Sequence, residues 1–332
     1  MALRADGTVW TWGANTQGQL GRNPVGPDSP TPQRVFGILG VTSIASNTFT
    51  NYAIRSDRTV WGWGADSQGE LGRGRAGTRS VTPIRIPGLT DVVAVVSDSF
   101  SAFALRADGT VWGWGWLPNG LSGANCGFPA ACIFPPTRVN GLANITGMAA
   151  GSLTTFALRS DGTVWAWGAN LDGALGNGST VDGTATPVRV SGLTDIRQIT
   201  AGNQTGFALR GDGTVWAWGN NEGGALGNGT WCDNCFSRTP VQVRGATSVA
   251  AITAGGTGTL GWNASTYTFG LALRTDGTVL AWGDNNYGQL GLGTSCGYDT
   301  HCPQTTAARI TSLSRITAIA ATESNGYALI LG

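Results

Sequence analysis

The chain has 332 residues, a length that suits two average domains or one large β-rich domain. Its 53 glycines, 14 tryptophans and 41% apolar residues exclude a disordered chain, although only 12% of the residues are charged. All 20 basic residues are arginine and 19 residues are acidic, so we expect no duplex nucleic acid partner, and the lack of an eighteen-residue apolar run predicts no membrane span.

Six copies of one eight-residue string, close to DGTVWxWG, organise the sequence. They occupy Asp6–Gly13, Asp57–Gly64, Asp108–Gly115, Asp161–Gly168, Asp212–Gly219 and Asp276–Gly283. Successive copies start 51, 51, 53, 51 and 64 residues apart. A period of about 50 residues indicates one supersecondary unit per repeat, and we place the repeats near 1–51, 52–102, 103–155, 156–206, 207–270 and 271–332.

Each repeat predicts four short strands. The first is an apolar run such as Ile196–Ala201, and the second is a short apolar segment such as Phe207–Leu209. An Asp-Gly pair then indicates a tight hairpin with positive φ at both residues. The third strand is the Thr-Val-Trp-x-Trp segment, and the fourth starts near a proline such as Pro187. We therefore predict an all-β chain, a β-propeller of six visible four-stranded blades.

The two ends of the sequence bear on how such a ring would close. The second-strand signal occurs seven times, because Tyr327–Leu329 repeats the pattern of Met1–Leu3, but the first-strand run occurs six times. We predict one blade closed by N- and C-terminal strands, with Ile316–Ala321 beside Ala2–Trp12, in a single domain spanning 1–332. The alternative is a truncated seven-bladed propeller that lacks an upstream segment.

The unit ALRxDGTVWxWGxNxxGxLG, followed by a proline, resembles the repeat of the regulator of chromosome condensation family. The resemblance covers essentially the whole chain and implies a β-propeller, commonly of seven blades. It also implies candidate roles as a guanine-nucleotide exchange factor for small GTPases, a chromatin-binding protein or an inhibitor of enzymes such as β-lactamases. Two features depart from the family pattern: the inner-strand His is replaced around Ser152 and Asn203, and Trp116–Pro118 interrupts the third repeat.

Six cysteines form three close pairs, Cys126/Cys132, Cys232/Cys235 and Cys296/Cys302, in enlarged loops between third and fourth strands. We predict three local disulfides, which indicate an oxidising compartment and an extracellular or cell-surface protein. No signal peptide precedes Met1, a conflict that a missing upstream segment would resolve. A metal site and a redox Cys-x-x-Cys remain alternatives, although the first needs more ligands and the second a helix N-terminus.

Catalysis is not expected, and neither is a cofactor or a metal. His301 is the single histidine, and each repeated Asp is the first residue of a turn, Asp-Gly in five copies and Asp57-Arg58 in one. We expect the motif tryptophans to pack between blades, and the motif arginines to form a solvated ring or to pair with turn carboxylates.

Departures from the repeat are the better guide to function. The enlarged cysteine loops and the insertion Gly255–Thr268 are predicted to share one face of the propeller. The candidate ligand-binding residues there are Trp116, Trp231, Trp262, Tyr267, Tyr298 and His301. We predict a non-catalytic recognition module, a monomer or part of a larger chain, that binds a protein or a glycan. The alternative is that these loops merely pack against one another.

Overall fold

A computed structural model describes residues 1–332 except 23–25, 118–131, 233, 258–266, 296–301, 323 and 331–332. The chain divides into two compact units, Met1–Thr146 and Gly147–Gly332. Among the described residues, no helix has the length and apolar character needed to cross a membrane.

The first unit holds three antiparallel sheets in its described residues. The first sheet contains β1 (Ala2–Leu3), β2 (Val9–Gly13) and β3 (Ser29–Arg34). The second contains β4 (Val41–Ser46), β5 (Thr50–Arg55), β6 (Val60–Gly64) and β7 (Ser80–Arg85). The third contains β8 (Val92–Ser97), β9 (Ser101–Arg106), β10 (Val111–Trp116) and β11 (Ile133–Arg138).

The described part of the second unit holds three four-stranded sheets and one strand pair. The strands of the first sheet are β12 (Ile145–Ala150, which begins just before the unit), β13 (Thr154–Arg159), β14 (Val164–Ala169) and β15 (Gly183–Arg189). Those of the second are β16 (Ile196–Ala201), β17 (Thr205–Arg210), β18 (Val215–Asn220) and β19 (Phe236–Gln242). Those of the third are β20 (Val249–Thr257), β21 (Tyr267–Arg274), β22 (Val279–Gly283) and β23 (Gln304–Arg309), and the pair is β24 (Ile316–Ala321) and β25 (Gly326–Ile330).

Every four-stranded sheet keeps its strands in chain order, which confirms the all-β chain of four-strand units. The predicted shared blade is wrong. Strand β24 pairs with β25, its neighbour in sequence, with Ile316 opposite Ile330. A short turn closes that hairpin with far less loss of chain entropy than a pairing with the chain start would require.

The local geometry of two repeat features also differs from the prediction. None of the six motif aspartates has positive φ; only the residue after each of them does, as in Gly213 with φ 80°. The side chain instead closes the turn, since Asp212 Oδ1 accepts hydrogen bonds from the backbone N–H of Thr214 (2.9 Å) and from its hydroxyl (2.6 Å). The fourth strand begins before its proline, and Pro187 lies inside β15, an edge strand with a register shift that tolerates the missing donor.

The second tryptophan of four of the six motifs joins neighbouring sheets. Trp218 is fully buried, and its indole N–H donates to the carbonyl of Ala174, in the loop of the preceding sheet, over 3.0 Å. Its ring meets that of Phe156 edge-on, with centroids 5.4 Å apart. Glycine at 206 is required because a Cβ there would lie 2.4 Å from the Trp218 ring. Not every motif tryptophan is buried, since Trp12 is 44% exposed.

The first motif tryptophan has a different role. Trp216 is half-buried, and its indole N–H donates to the Thr214 hydroxyl over 3.2 Å. The Arg210 guanidinium lies 4.7 Å from its ring centroid and 4.0 Å from the Asp212 carboxylate. This pairing of motif arginine and turn carboxylate recurs in five of the described sheets, whereas Arg106 pairs with Asp91 of the preceding link.

We expect Trp218→Phe to lower the free energy of unfolding by about 1–3 kcal/mol, because the buried Ala174 carbonyl loses its donor. Trp216→Leu, which copies Leu280 in the third sheet of the second unit, should lower the free energy of unfolding by about 1 kcal/mol or less, the size of a partly exposed cation–π contact. Urea denaturation of both variants measures the difference. Equal losses would contradict the assignment of the inter-sheet bond to the second tryptophan.

Candidate functional site

The two kinds of long loop lie together at one end of each sheet. The start of the loop between the third and fourth strands is hydrogen-bonded to the loop between the first and second strands. For example, Asn220 N donates to Gln204 O over 3.1 Å. Asp284 N donates to Thr268 O in the same way over 3.0 Å. We call this the loop end of a sheet. The Asp-Gly turns and the links from one sheet to the next meet at the opposite, turn end, where Ile196 N donates to Gly162 O over 3.1 Å.

At the loop end of the second unit, two adjacent loops and the strand that follows them expose four large apolar side chains, and Tyr287 in the next loop is 47% exposed. The four side chains come from the loops 170–182 and 221–235 and from the start of β19, and we call them the loop-end surface. The exposed fractions are 38% for Leu171, 64% for Val181, 40% for Trp231 and 39% for Phe236. Exposure of neighbouring large apolar groups is unusual in a folded protein unless they contact a partner.

Two buried asparagines fix the loops that carry this surface. Asn221 donates its backbone N–H to Cys235 O (2.7 Å) and its side-chain amide to Thr230 O (3.0 Å), while its Oδ1 accepts from Leu226 N (3.0 Å). Asn170 binds its own loop in the same way, at Val181 O (2.7 Å) and Leu175 N (3.0 Å). The backbone beside Trp231 and Val181 is therefore held in place from beneath.

The two loops are also tied to each other. Asn220 Nδ2 donates to Asp172 Oδ2 over 2.9 Å, and Gly178 N donates to Arg238 O over 2.9 Å. The Arg238 guanidinium lies 4.6 Å from the centroid of the Phe236 ring. Residues of two adjacent sheets thus form one continuous surface.

The charge around this surface is mainly negative. The described residues of the two loops contribute Asp172, Asp182 and Glu222, while the adjoining strand β19 contributes Arg238. The motif arginines of this unit lie instead at the turn end, beside the Asp-Gly carboxylates, as Arg159 and Arg274 do. A partner at the loop end would meet apolar groups bordered by carboxylates.

The structure places three of the predicted ligand-binding residues. Trp231 belongs to the loop-end surface. Tyr267 is half-buried and pairs with Thr257 at the tip of the hairpin of β20 and β21, which extends beyond those of the other sheets. Trp116, in the first unit, packs edge-on against Phe100 with ring centroids 5.5 Å apart. This contact fits the alternative that the loops pack against one another better than it fits ligand binding. Trp262, Tyr298 and His301 lie outside the described residues.

A disulfide joins Cys232 and Cys235, with Cα atoms 5.3 Å apart. Cys132 and Cys302 are also disulfide-bonded, whereas Cys126 and Cys296 lie outside the described residues. Within the described ranges, no three His, Cys, Asp or Glu side chains gather as metal ligands would. The Cys232–Cys235 segment starts no helix, so the redox alternative lacks the environment that lowers a thiol pKa.

Sequence reasoning missed a buried carboxyl group at the loop end of the first unit. Asp98 accepts hydrogen bonds from Phe100 N (2.9 Å), Ser101 N (2.6 Å) and the Ser101 hydroxyl (2.7 Å). Burial raises the pKa of this carboxyl to about 7, since no cation offsets the loss of water. Asn47 holds the equivalent position in the preceding sheet, accepts from Thr50 N (2.7 Å), and donates to Asp98 O (2.8 Å).

This group predicts a pH dependence of stability. The folded-state pKa of about 7 exceeds the usual 3.8, so the folded protein binds more protons and the free energy of unfolding falls as pH rises between these values. Asp98→Asn, which copies Asn47, should keep the turn and flatten that slope in thermal unfolding from pH 4 to pH 7. Asp57→Asn is the control, because hydrogen bonds from Thr59 lower the pKa of Asp57 and place its effect below this window. An unchanged slope in Asp98→Asn would contradict the account.

Comparison with known proteins identifies the family. The model of the RCC1-like domain matches residues 1–272, and that of the regulator of chromosome condensation (RCC1) repeat matches residues 276–329. The chain belongs to the RCC1-like domain family. It is 29% identical over 356 residues to the human E3 ubiquitin-protein ligase HERC2, covering 89% of this chain and 7% of that protein. It is 28% identical over 294 residues to the ultraviolet-B receptor UVR8 of Arabidopsis thaliana, covering 86% of this chain and 63% of that protein.

Two solved structures establish the fold of this RCC1-like chain as a β-propeller. Prp20p of Saccharomyces cerevisiae matches 99% of this chain and 80% of its own, with a TM-score of 0.78 and 21% identity. Human WBSCR16 matches 100% of this chain and 84% of its own, with a TM-score of 0.79 and 22% identity. The predicted fold class and family resemblance are confirmed.

Proposed function

We propose that this RCC1-like chain is a non-catalytic recognition module that binds a protein partner through the loop-end surface of its second unit. The observation that carries the proposal is the exposure of Leu171, Val181, Trp231 and Phe236 on loops held by buried hydrogen bonds. Aromatic side chains on a fixed backbone lose little entropy on binding, which makes them effective anchors.

The relatives support a protein rather than a glycan as the partner. RCC1-like relatives are binding or regulatory propellers, and the solved structure of Prp20p is described together with its binding to Gsp1p and histones. The chain spans 7% of HERC2 and 63% of UVR8, so the ligase and receptor activities in those names are not carried over. The border of carboxylates favours a partner that offers basic groups beside apolar ones.

The binding proposal predicts a local loss of affinity. Trp231→Thr, which copies Thr180 of the preceding loop, combined with Phe236→Ser should weaken partner binding by about tenfold or more, because two anchors are lost. Pull-down followed by titration of the captured protein measures this. A control with Val93→Thr, at an exposed position of β8 in the other unit, should bind this partner normally.

Two results would reject the proposal: equal binding by the loop-end variant and the control, or a glycan array that selects a sugar whose binding is lost in Trp231→Thr.

Export to an oxidising compartment is the second part of the proposal, supported by the disulfide bonds at Cys132, Cys232, Cys235 and Cys302. Denaturation without reductant should expose no free thiol in protein purified from its native source, and reduction should release all six. Mass spectrometry after alkylation counts them. Six alkylated cysteines before reduction would contradict export.

A further inference from the structure

A second exposed apolar site lies at the turn end of the first unit, where the chain passes from one sheet to the next. Six such links connect a fourth strand to the following first strand, and in each the residue after the first apolar anchor and the residue after the second are at least partly exposed. Five links carry small or polar residues there: Pro87 and Thr90, Asn140 and Ala143, Ser191 and Thr194, Arg244 and Thr247, Thr311 and Ser314. Link 1 (35–40) carries Phe36 and Leu39 instead, which are 68% and 59% exposed.

The fold does not need these two side chains. The anchors of link 1, Val35 and Ile38, are buried, as are their counterparts in the next four links, while Leu313 of the last link is half-buried. Phe36 and Leu39 are therefore additions to a link that the rest of the chain builds without them. The five other links of the chain, which lack such side chains, support this interpretation.

The adjacent hairpin turn departs from the repeat as well. Five turns place glycine after the aspartate, with φ near 76° to 80°, whereas the second sheet has Arg58 there with φ 60°. The turn is otherwise unchanged, since Arg58 N donates to Arg55 O over 2.8 Å as Gly109 N donates to Arg106 O over 2.9 Å. A side chain is unfavourable in this left-handed conformation, so the exposed arginine costs stability that glycine would not.

These departures adjoin one another. Arg55 Nε donates to Leu39 O over 3.0 Å, and Ser56 N donates to Gly40 O over 2.8 Å. The turn that carries Arg58 thus packs directly on link 1. We call Phe36, Leu39 and Arg58 the link surface.

The charge around the link surface is positive. Link 1, its two flanking turns and the adjoining ends of β3 and β7 gather five described arginines, namely Arg4, Arg34, Arg55, Arg58 and Arg85. They face two carboxylates, Asp6, which lies 3.9 Å from Arg4, and Asp57, which lies 3.2 Å from Arg55. Hydrogen bonds from the following threonine, with the charges of Arg34 at Asp6 and of Arg85 at Asp57, hold the pKa of both carboxyls below the usual range. The carboxylate of Asp91, in the link between β7 and β8, pairs with Arg106.

We propose that the link surface binds an acidic segment of another protein, with an apolar side chain against Phe36 and Leu39 and carboxylates against Arg58 and its neighbours. Apolar anchors bordered by unbalanced positive charge complement such a segment and repel a basic one. This site is separate from the loop-end surface and does not rest on the function proposed for it.

The test is selection of a displayed library of random twelve-residue peptides on the intact protein, after depletion on the variant Phe36→Ser/Leu39→Thr, which copies Ser191 and Thr194. The selected peptides should combine Asp or Glu with large apolar residues. One selected peptide, titrated at two salt concentrations, should bind the depleting variant and Arg58→Gly about tenfold more weakly than the parent protein, and more weakly in higher salt.

Two controls separate binding from folding. Arg58→Gly copies the other five turns and should raise the melting temperature while it weakens binding. Pro87→Ser/Thr90→Ser alters the next link and should leave peptide affinity unchanged.

Four results would overturn the proposal. The first is no enrichment, and the second is enrichment of neutral or basic peptides. The third is self-association of the parent protein that the Phe36→Ser/Leu39→Thr variant abolishes. The fourth is binding to vesicles of phosphatidylglycerol and phosphatidylcholine that the same variant abolishes.

Discussion

The structure depends on the hydrogen bond from a buried indole N–H to the loop of the preceding sheet. Trp63, Trp114, Trp218 and Trp282 each donate to a backbone carbonyl 44 or 57 residues earlier in the chain, over 2.7 to 3.1 Å. The bond links each of these sheets to its neighbour within a unit and holds the loop between the third and fourth strands between them. That loop is the element whose outer residues form the loop-end surface, so the same contact that packs the fold also positions the site.

Comparison of the repeats shows which residues that differ from their counterparts have a structural role. A buried asparagine holds the long loop at Asn15, Asn170, Asn221 and Asn285, but the second sheet has Asp66 there. Asp66 keeps the acceptor role, with Leu71 N at 2.8 Å, and turns its other oxygen toward Arg73 at 3.4 Å. This acid therefore has a charged neighbour in its own loop, although burial still raises the pKa of its carboxyl. Phe36 and Trp231 are 68% and 40% exposed, and the equivalent positions of the other repeats hold smaller or polar residues.

The sequence predicts the strand order well because alternation and Asp-Gly turns act over a few residues. Four strands per repeat, the roles of Asp212 and Arg210, and the family resemblance all follow from such local signals. The pairing of Ile316–Ala321 does not follow from them, because the sequence has two copies of the second strand that could pair with it. The structure pairs it with the copy that is nearer in sequence, Tyr327–Leu329. The exposure of a side chain is not predicted by the motif either, because Trp12 and Trp218 occupy the same motif position but are 44% and 0% exposed. The repeated asparagine was visible as a pattern, but its hydrogen bonds required coordinates.

Amide hydrogen exchange tests most directly whether the loops that carry the loop-end surface are fixed before any partner binds. Mass spectrometry of peptides from 170–182 and 221–235 should show protection close to that of β14 and β18, because Asn170, Leu175, Asn221 and Leu226 all donate backbone hydrogen bonds. Exchange of these loops within seconds, against slow exchange in the strands, would contradict a preorganised surface.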